Sequence, residues 1–222
     1  MPFLFTPKGS FKMANYCSNN IVFYSNDKTL LQNLHDSMLD VFNNSKSRSV
    51  YEILLKHGYT KEEAQKISDS RDYLSYMEFE LTDKGCGYYA FKAETESAWQ
   101  PNMTSFFQLL QDKYNNQISL VYVAEEPGSC IFINTDVDRL FFEDNYRLDY
   151  CVNNDYQTEY FAGFSEVIDY INEKLPEAKV CVFDTPNQVK DKVHEAYITK
   201  ETYNNFYFYL DRFTCNYESR WN

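Results

Sequence analysis

The stretch Phe91–Phe132, FKAETESAWQPNMTSFFQLLQDKYNNQISLVYVAEEPGSCIF, limits the fold more than any other part of the chain. Its first residues predict a strand, which Trp99-Gln100-Pro101 breaks. Asn102 is placed to cap a helix whose apolar side chains, Met103, Phe106, Phe107, Leu110 and Tyr114, recur at helical spacing. Ile118–Ala124 predicts a buried strand, Glu125-Glu126-Pro127-Gly128 a tight turn, and Cys130–Ile133 the start of another strand. A helix held by short loops between two strands must fold back onto the sheet it leaves, and few topologies satisfy that.

The preceding residues have the same grammar. Asn15–Ser25 centres on Ile21-Val22-Phe23-Tyr24 and predicts a strand. Asp27 is an N-cap for a helix with Leu30, Leu31, Leu34, Met38 and Val41 on one stripe. Residues 44–72 form a helical insertion: Val50, Ile53 and Leu54 lead to Gly58, and Thr60-Lys61-Glu62-Glu63 is a capping box opening a second short helix. Tyr73–Leu81 and Tyr88–Thr95 predict an antiparallel hairpin about the glycine turn Asp83–Gly87. The order strand–helix–strand–strand–helix–strand predicts an α+β fold, a ferredoxin-like sandwich (βαββαβ) with helices on one face of an antiparallel sheet.

Residues 13–135 thus make the expected core, 1–12 a flexible N-terminal extension, and 136–222 a C-terminal α/β extension packed on the core sheet. In that extension Arg139–Phe142 and Tyr146–Val152 are expected as strands that lengthen the sheet, and Val180–Phe183 as a further short strand. Phe164–Leu175 and Pro186–Ile198 read as helices, whereas 202–217 fits helix or strand equally.

A net charge of −12 over 222 residues argues against direct nucleic-acid binding. With 20 Tyr and 18 Phe the chain is too aromatic for a disordered one. Six cysteines stand singly; Cys130, Cys151 and Cys181 lie in apolar runs and are expected as buried, reduced thiols. No secretory leader or membrane-length apolar run is present, which predicts a cytoplasmic protein without membrane contact.

The search for chemistry returns little. The best imitation of a calcium loop is Asn134, Asp136 and Asp138 with Glu143 and Asp144 beyond. The sixth and twelfth positions, where glycine and glutamate belong, hold Arg139 and Asn145, so the acidic-turn reading is preferred. Glu125 and Glu126 are strand neighbours that would face opposite ways. Trp99 reads as a core anchor at the sheet edge. Three histidines, His35, His57 and His194, form no cluster, and an enzyme would need His57 or His194 gathered with distant carboxylates. No catalytic, cofactor or metal residue is therefore assigned; Trp99, Pro101, Glu126 and Gly128 are expected to fix corners of the fold.

Those corner residues carry a resemblance. Met13-Ala14-Asn15-Tyr16-Cys17-Ser18-Asn19, Trp99-x-Pro101, and Tyr122 with Glu126-Pro127-Gly128 before Phe132 resemble the YubB-type ferredoxin-like family over about residues 13–135. Its members are phage- and plasmid-borne proteins without established activity. The chain departs from the family at Asn102 and Asn134, where a second proline and a glycine are frequent. The acidic charge, the tyrosines, the missing catalytic sets and this resemblance together lead to the expectation of a non-catalytic accessory protein of a phage or other mobile element that binds a host or phage protein. In one version, from its acidity, it is an anti-defence mimic of nucleic acid. The alternative is a small-ligand or nucleotide sensor, and an enzyme ranks last. The tyrosine surplus decides between a binding face and a spread through the fold only once the register of the strands is known.

Overall fold

A computed structural model describes residues 16–68, 71–152, 155–198 and 206–215. The expected extension 1–12 and the opening residues 13–15 lie outside the described residues. The chain is α+β, with antiparallel pairing in both sheets.

The elements run β1 Tyr16–Ser25, α1 Lys28–Asn44, α2 Val50–Lys56, α3 Lys61–Ile67, β2 Tyr73–Met77, β3 Thr82–Gly85, β4 Tyr88–Ala98, α4 Thr104–Tyr114, β5 Ser119–Glu126 and β6 Ile131–Asn134. There follow β7 Tyr146–Val152, β8 Asp155–Phe161, α5 Phe164–Lys174, α6 Pro186–Tyr197 and β9 Tyr207–Arg212. One sheet has the strand order β2-β4-β1-β5-β6, with β3 also on β4; the other has the order β8-β7-β9. Two compact units result, one of residues 1–119 and 125–131, the other of 120–124 and 132–222.

In the first unit the local signals act as read. The Asp27 carboxylate accepts from the Leu30 amide at 2.9 Å, and Thr60 and Glu63 form a reciprocal capping box. β1 and β4 pair from Tyr16↔Ala98 to Ser25↔Tyr89, which sets Phe23 against Phe91. Their rings stack at 5.0 Å between centroids, and Phe106 of α4 meets Phe23 edge-on at 5.3 Å. Ile21, Phe23, Phe91 and Ala93 thereby form the covered face, and α1 closes it with Leu31, Leu34 and Met38. At the far end of this face buried Asn19 donates to the Thr95 and Ser97 side chains at 3.2 and 3.0 Å, so a residue of the opening motif staples two strands.

Several expectations are corrected. Asn102 does not cap α4: Met103 holds the N-cap position in a helical conformation with no side-chain cap. The buried stripe of α4 uses Leu109, and Phe107 faces solvent. The strand from Tyr73 stops at Met77, and Thr82–Gly85 pairs separately with β4 across a turn in which Gly85, Cys86 and Gly87 all have positive φ. Two glycines make that run of left-handed residues tolerable.

In the second unit Tyr146–Val152 does not lengthen the first sheet, since its partners are β8 and β9. Arg139–Phe142 is a loop, and Val180–Phe183 is a turn in which Asp184 accepts from the Cys181 amide at 2.7 Å. Val182 and Phe183 are exposed there, so an apolar run without strand neighbours is not a strand. Of the ambiguous 202–217, residues 207–212 are strand. Leu148, Tyr150 and Val152 of β7 pack with Phe208 and Leu210 of β9, Val167, Ile168 and Ile171 of α5, and Val189 and Val193 of α6.

Candidate binding face

Alternation in β7 sends Arg147, Asp149 and Cys151, the second, fourth and sixth residues of YRLDYCV, to the opposite side from that core. Register places Arg147 against Tyr160 and Asp211, Asp149 against Thr158 and Tyr209, and Cys151 against Tyr156 and Tyr207. Side chains directly opposite in a sheet share a face. All nine therefore stand on the face away from α5 and α6, and four of them are tyrosines.

The middle strand determines what those tyrosines do. Cys151 is small and buried, so the rings of Tyr156 and Tyr207, two strands apart, lean together above it with centroids 6.2 Å apart. Tyr209 continues the platform at 5.6 Å from Tyr207, its ring tilted by 30°. Asp149 anchors the centre: Oδ1 accepts from Thr158 at 3.1 Å and from the Tyr207 hydroxyl at 3.4 Å, and Oδ2 pairs with Arg147 at 3.1 Å. Arg147 is itself held over the Phe132 ring at 5.6 Å. Burial, with the Asp149 carboxylate beside it, raises the Tyr207 pKa. A hydrogen bond with the Cys151 thiol raises that of Tyr156.

Despite these anchors the platform is open. Tyr156, Tyr160 and Tyr209 are 65%, 43% and 57% exposed. At roughly 200 Å² per ring they leave about 330 Å² of aromatic surface in water, the size at which a patch on a monomer is often functional.

The residues singled out in the sequence behave differently. Trp99 is half exposed, not a core anchor, and sits at φ 72°, a left-handed conformation that is costly for a bulky residue. Pro101 is half-buried, and Gly128 lies in an exposed 3₁₀ turn that follows β5. Glu126 is buried and its carboxylate accepts from the Ser129 amide, which closes that turn. Trp99 and Pro101 lie in the segment between β4 and α4, and Glu126 ends β5.

Asn134 and Asp136 turn their oxygens inward on their own loop. Asn134 Oδ1 accepts from the Asp136 amide at 3.0 Å, and Asp136 Oδ2 accepts from the Phe141 and Phe142 amides at 2.6 and 2.9 Å. Asp138, Glu143 and Asp144 are exposed. Among the described residues no group of three or more His, Cys, Asp or Glu side chains is arranged to hold a metal ion.

Two of the three histidines are held by hydrogen bonds within the fold, and His194 is exposed. His35 is buried, its Nε2 2.9 Å from the Glu78 carbonyl. Ser37 lies 2.7 Å from His57 Nε2 but is also 2.7 Å from the Leu34 carbonyl, to which its one proton can go. His57 Nε2–H then donates to Ser37, and Nδ1 faces the Tyr114 hydroxyl at 3.4 Å. Burial, then nearby Lys113, lowers the His57 pKa. His194 meets Phe206 edge-on at 5.2 Å and borders a groove of about 330 Å³ with Ile198 and residues Phe206–Tyr209.

The thiols divide otherwise than expected. Cys17 and Cys151 are buried; Cys130 and Cys181 are exposed, and all six are unbridged. Burial and the nearby carboxylates of Glu126, Glu125 and Asp72 push the Cys17 thiol up to about 12.

No helix among the described residues is long and apolar enough to cross a membrane. No family model, no curated protein and no solved structure matches the chain.

Proposed function

We propose that this chain is a non-catalytic protein-binding protein that engages a partner protein through the tyrosine platform of its second unit. The observation that carries this reading is the gathering of Tyr156, Tyr160, Tyr207 and Tyr209 on one open sheet face with their central polar groups already anchored. Tyrosine supplies a large, stiff contact area with few rotors to freeze, which is why it is enriched in binding surfaces. The pre-formed bonds to Asp149 and Cys151 lower the ordering cost on association. The serine and tyrosine about His57 complete its hydrogen bonds, which supports binding over catalysis.

The resemblance over residues 13–135 supports a finer version, an accessory protein of a phage or other mobile element with a host or phage partner. The order β1-α1-β2-β4-α4-β5 in the chain and β2-β4-β1-β5 in the sheet supports a ferredoxin-like reading of that part. A nucleic-acid-mimicking version is less favoured, because the carboxylate central to the platform is paired with Arg147.

The test compares lysate capture by the native chain and by Tyr156→Ala/Tyr209→Ala, two exposed positions whose loss leaves the core intact. A partner retained by the first and lost from the second supports the reading; capture that is indifferent to both tyrosines rejects it. The groove beside His194 favours a small-ligand sensor as the second reading, since its volume lies at the low end of ligand pockets. Thermal stabilisation by a nucleotide, abolished by His194→Ala, would select that reading.

A further inference from the structure

The first unit has an open face of its own, and its chemistry differs. β4 is the middle strand between β1 and β2. Glu96 stands between Ser18 and Tyr73, and Glu94 between Asn20 and Tyr76. These side chains point away from the face that Phe23, Phe91 and Ala93 give to the helices. Tyr16 and Tyr73 meet edge-on at 6.3 Å from strands on either side of β4, and the Tyr73 hydroxyl donates to Glu96. Tyr16 and Tyr76 are 48% and 44% exposed. Two carboxylates thus lie along the middle of a sheet face with tyrosine rings beside them.

Among the described residues no cation neutralises them. Among the described residues neither Glu94 nor Glu96 forms an ion pair, even with Lys92 on the same strand and face. In this they differ from Asp149, which Arg147 pairs. An aromatic ring face attracts a cation, and a carboxylate accepts the planar two-pronged donor of a guanidinium, which an ammonium does not match. Residues two apart on a strand stand about 6.8 Å apart on one side, for a bound segment as for β4.

We propose that this face docks an arginine-bearing basic segment of a partner protein, bound extended, with arginines at alternate positions opposite Glu94 and Glu96 and stacked on Tyr16, Tyr73 and Tyr76. The chain's net charge of −12 draws such a segment in, and the tyrosine–carboxylate array selects its register. This is a second site, independent of the platform on β7, β8 and β9.

The experiment uses the full chain and a fluorescein-labelled peptide of alternating arginine and threonine, read by anisotropy in about 0.15 M salt, where long-range attraction is screened. Glu94→Gln/Glu96→Gln is expected to weaken binding about tenfold, as the loss of two charge-assisted contacts implies. Tyr76→Ala is expected to weaken it severalfold, and a lysine–threonine peptide to bind less tightly. Glu62→Gln/Glu173→Gln removes the same charge from exposed helix positions and is expected to change affinity less than twofold. Tyr156→Ala/Tyr209→Ala is expected to leave it unchanged, so failure here is separable from failure of the proposed function.

Equal losses in the two charge-matched double variants would reduce the effect to net charge and overturn the proposal. So would absence of binding by the native chain, or peptide protection from hydrogen exchange located outside β1, β2 and β4. A change of oligomeric state in Glu94→Gln/Glu96→Gln would assign the face to a second copy of the chain, which also overturns it.

Discussion

Replacing Asn134 by alanine should cost the second unit about 4 kcal/mol, and the sum can be followed bond by bond. The side chain is fully buried; its Nδ2 donates to the Phe142 and Asp144 carbonyls at 3.1 and 3.0 Å, and its Oδ1 takes the Asp136 amide. Three such bonds are worth about 1 kcal/mol each. Phe142 and Asp144 lie near solvent, so water can replace the lost donor, but Asp136 is 3% exposed and its orphaned N–H adds roughly 1 kcal/mol. Asp138→Ala, at an exposed position of the same acidic run, should stay within about 0.5 kcal/mol of the native chain. Urea denaturation followed by far-UV circular dichroism measures both. Hydrogen exchange at the Phe141 and Phe142 amides, which Asp136 holds, should rise in Asn134→Ala alone. Calcium should leave the native midpoint in place, whereas a cation at 100 times its Kd would add about 2.7 kcal/mol. A cost below about 1 kcal/mol, or calcium stabilisation lost in both variants, would refute the staple and make the loop a cation site.

Two further outcomes are expected. In a thiol-labelling time course Cys86, Cys130, Cys181 and Cys215 should react first, and Cys17 and Cys151 slowly; Tyr156→Ala should speed Cys151 alone, by lifting part of its roof. Because His57 titrates below its ordinary 6.5 in the fold, the unfolded chain binds the extra proton first. Stability should then fall as pH drops below about 6.5, by at most about 1.4 kcal/mol per unit from this group, and His57→Gln should flatten that part of the pH–stability curve.

What could be read in advance was local. Asp27 and Thr60 each cap a helix through a bond to a residue three positions on, so the sequence around them contains both partners. The start of α4 is not legible because Asn102 is a good cap by type, while Met103 takes the position in a helical conformation without a side-chain bond. β8 went unseen since DYQTEYF has no apolar face: it is an edge strand whose tyrosines face water. The platform was visible as a tyrosine surplus and nothing finer. Tyr156 and Tyr207 are 51 positions apart, and only the pairing of β7 with both neighbours brings them over Cys151. The calcium-like spacing of Asn134 and Asp136 was real, but short polar side chains at such spacing serve a loop's own amides as readily as an ion.

The interleaving of the two units has a consequence in time. Residues 120–124 and 132–134 belong with the second unit, yet β6 is completed by exchange with Thr214, whose amide donates to the Phe132 carbonyl at 3.0 Å across 82 positions. At synthesis rates of about 5–20 residues per second, Phe132 and Ile133 leave the ribosome roughly 4–16 s before that partner exists. The first unit can close while they wait. During that interval the nascent chain carries an uncompensated apolar edge strand, the kind of segment that chaperones bind and neighbouring chains capture. Slowing translation over 135–214 should therefore lower the yield of folded protein more than slowing it before residue 119.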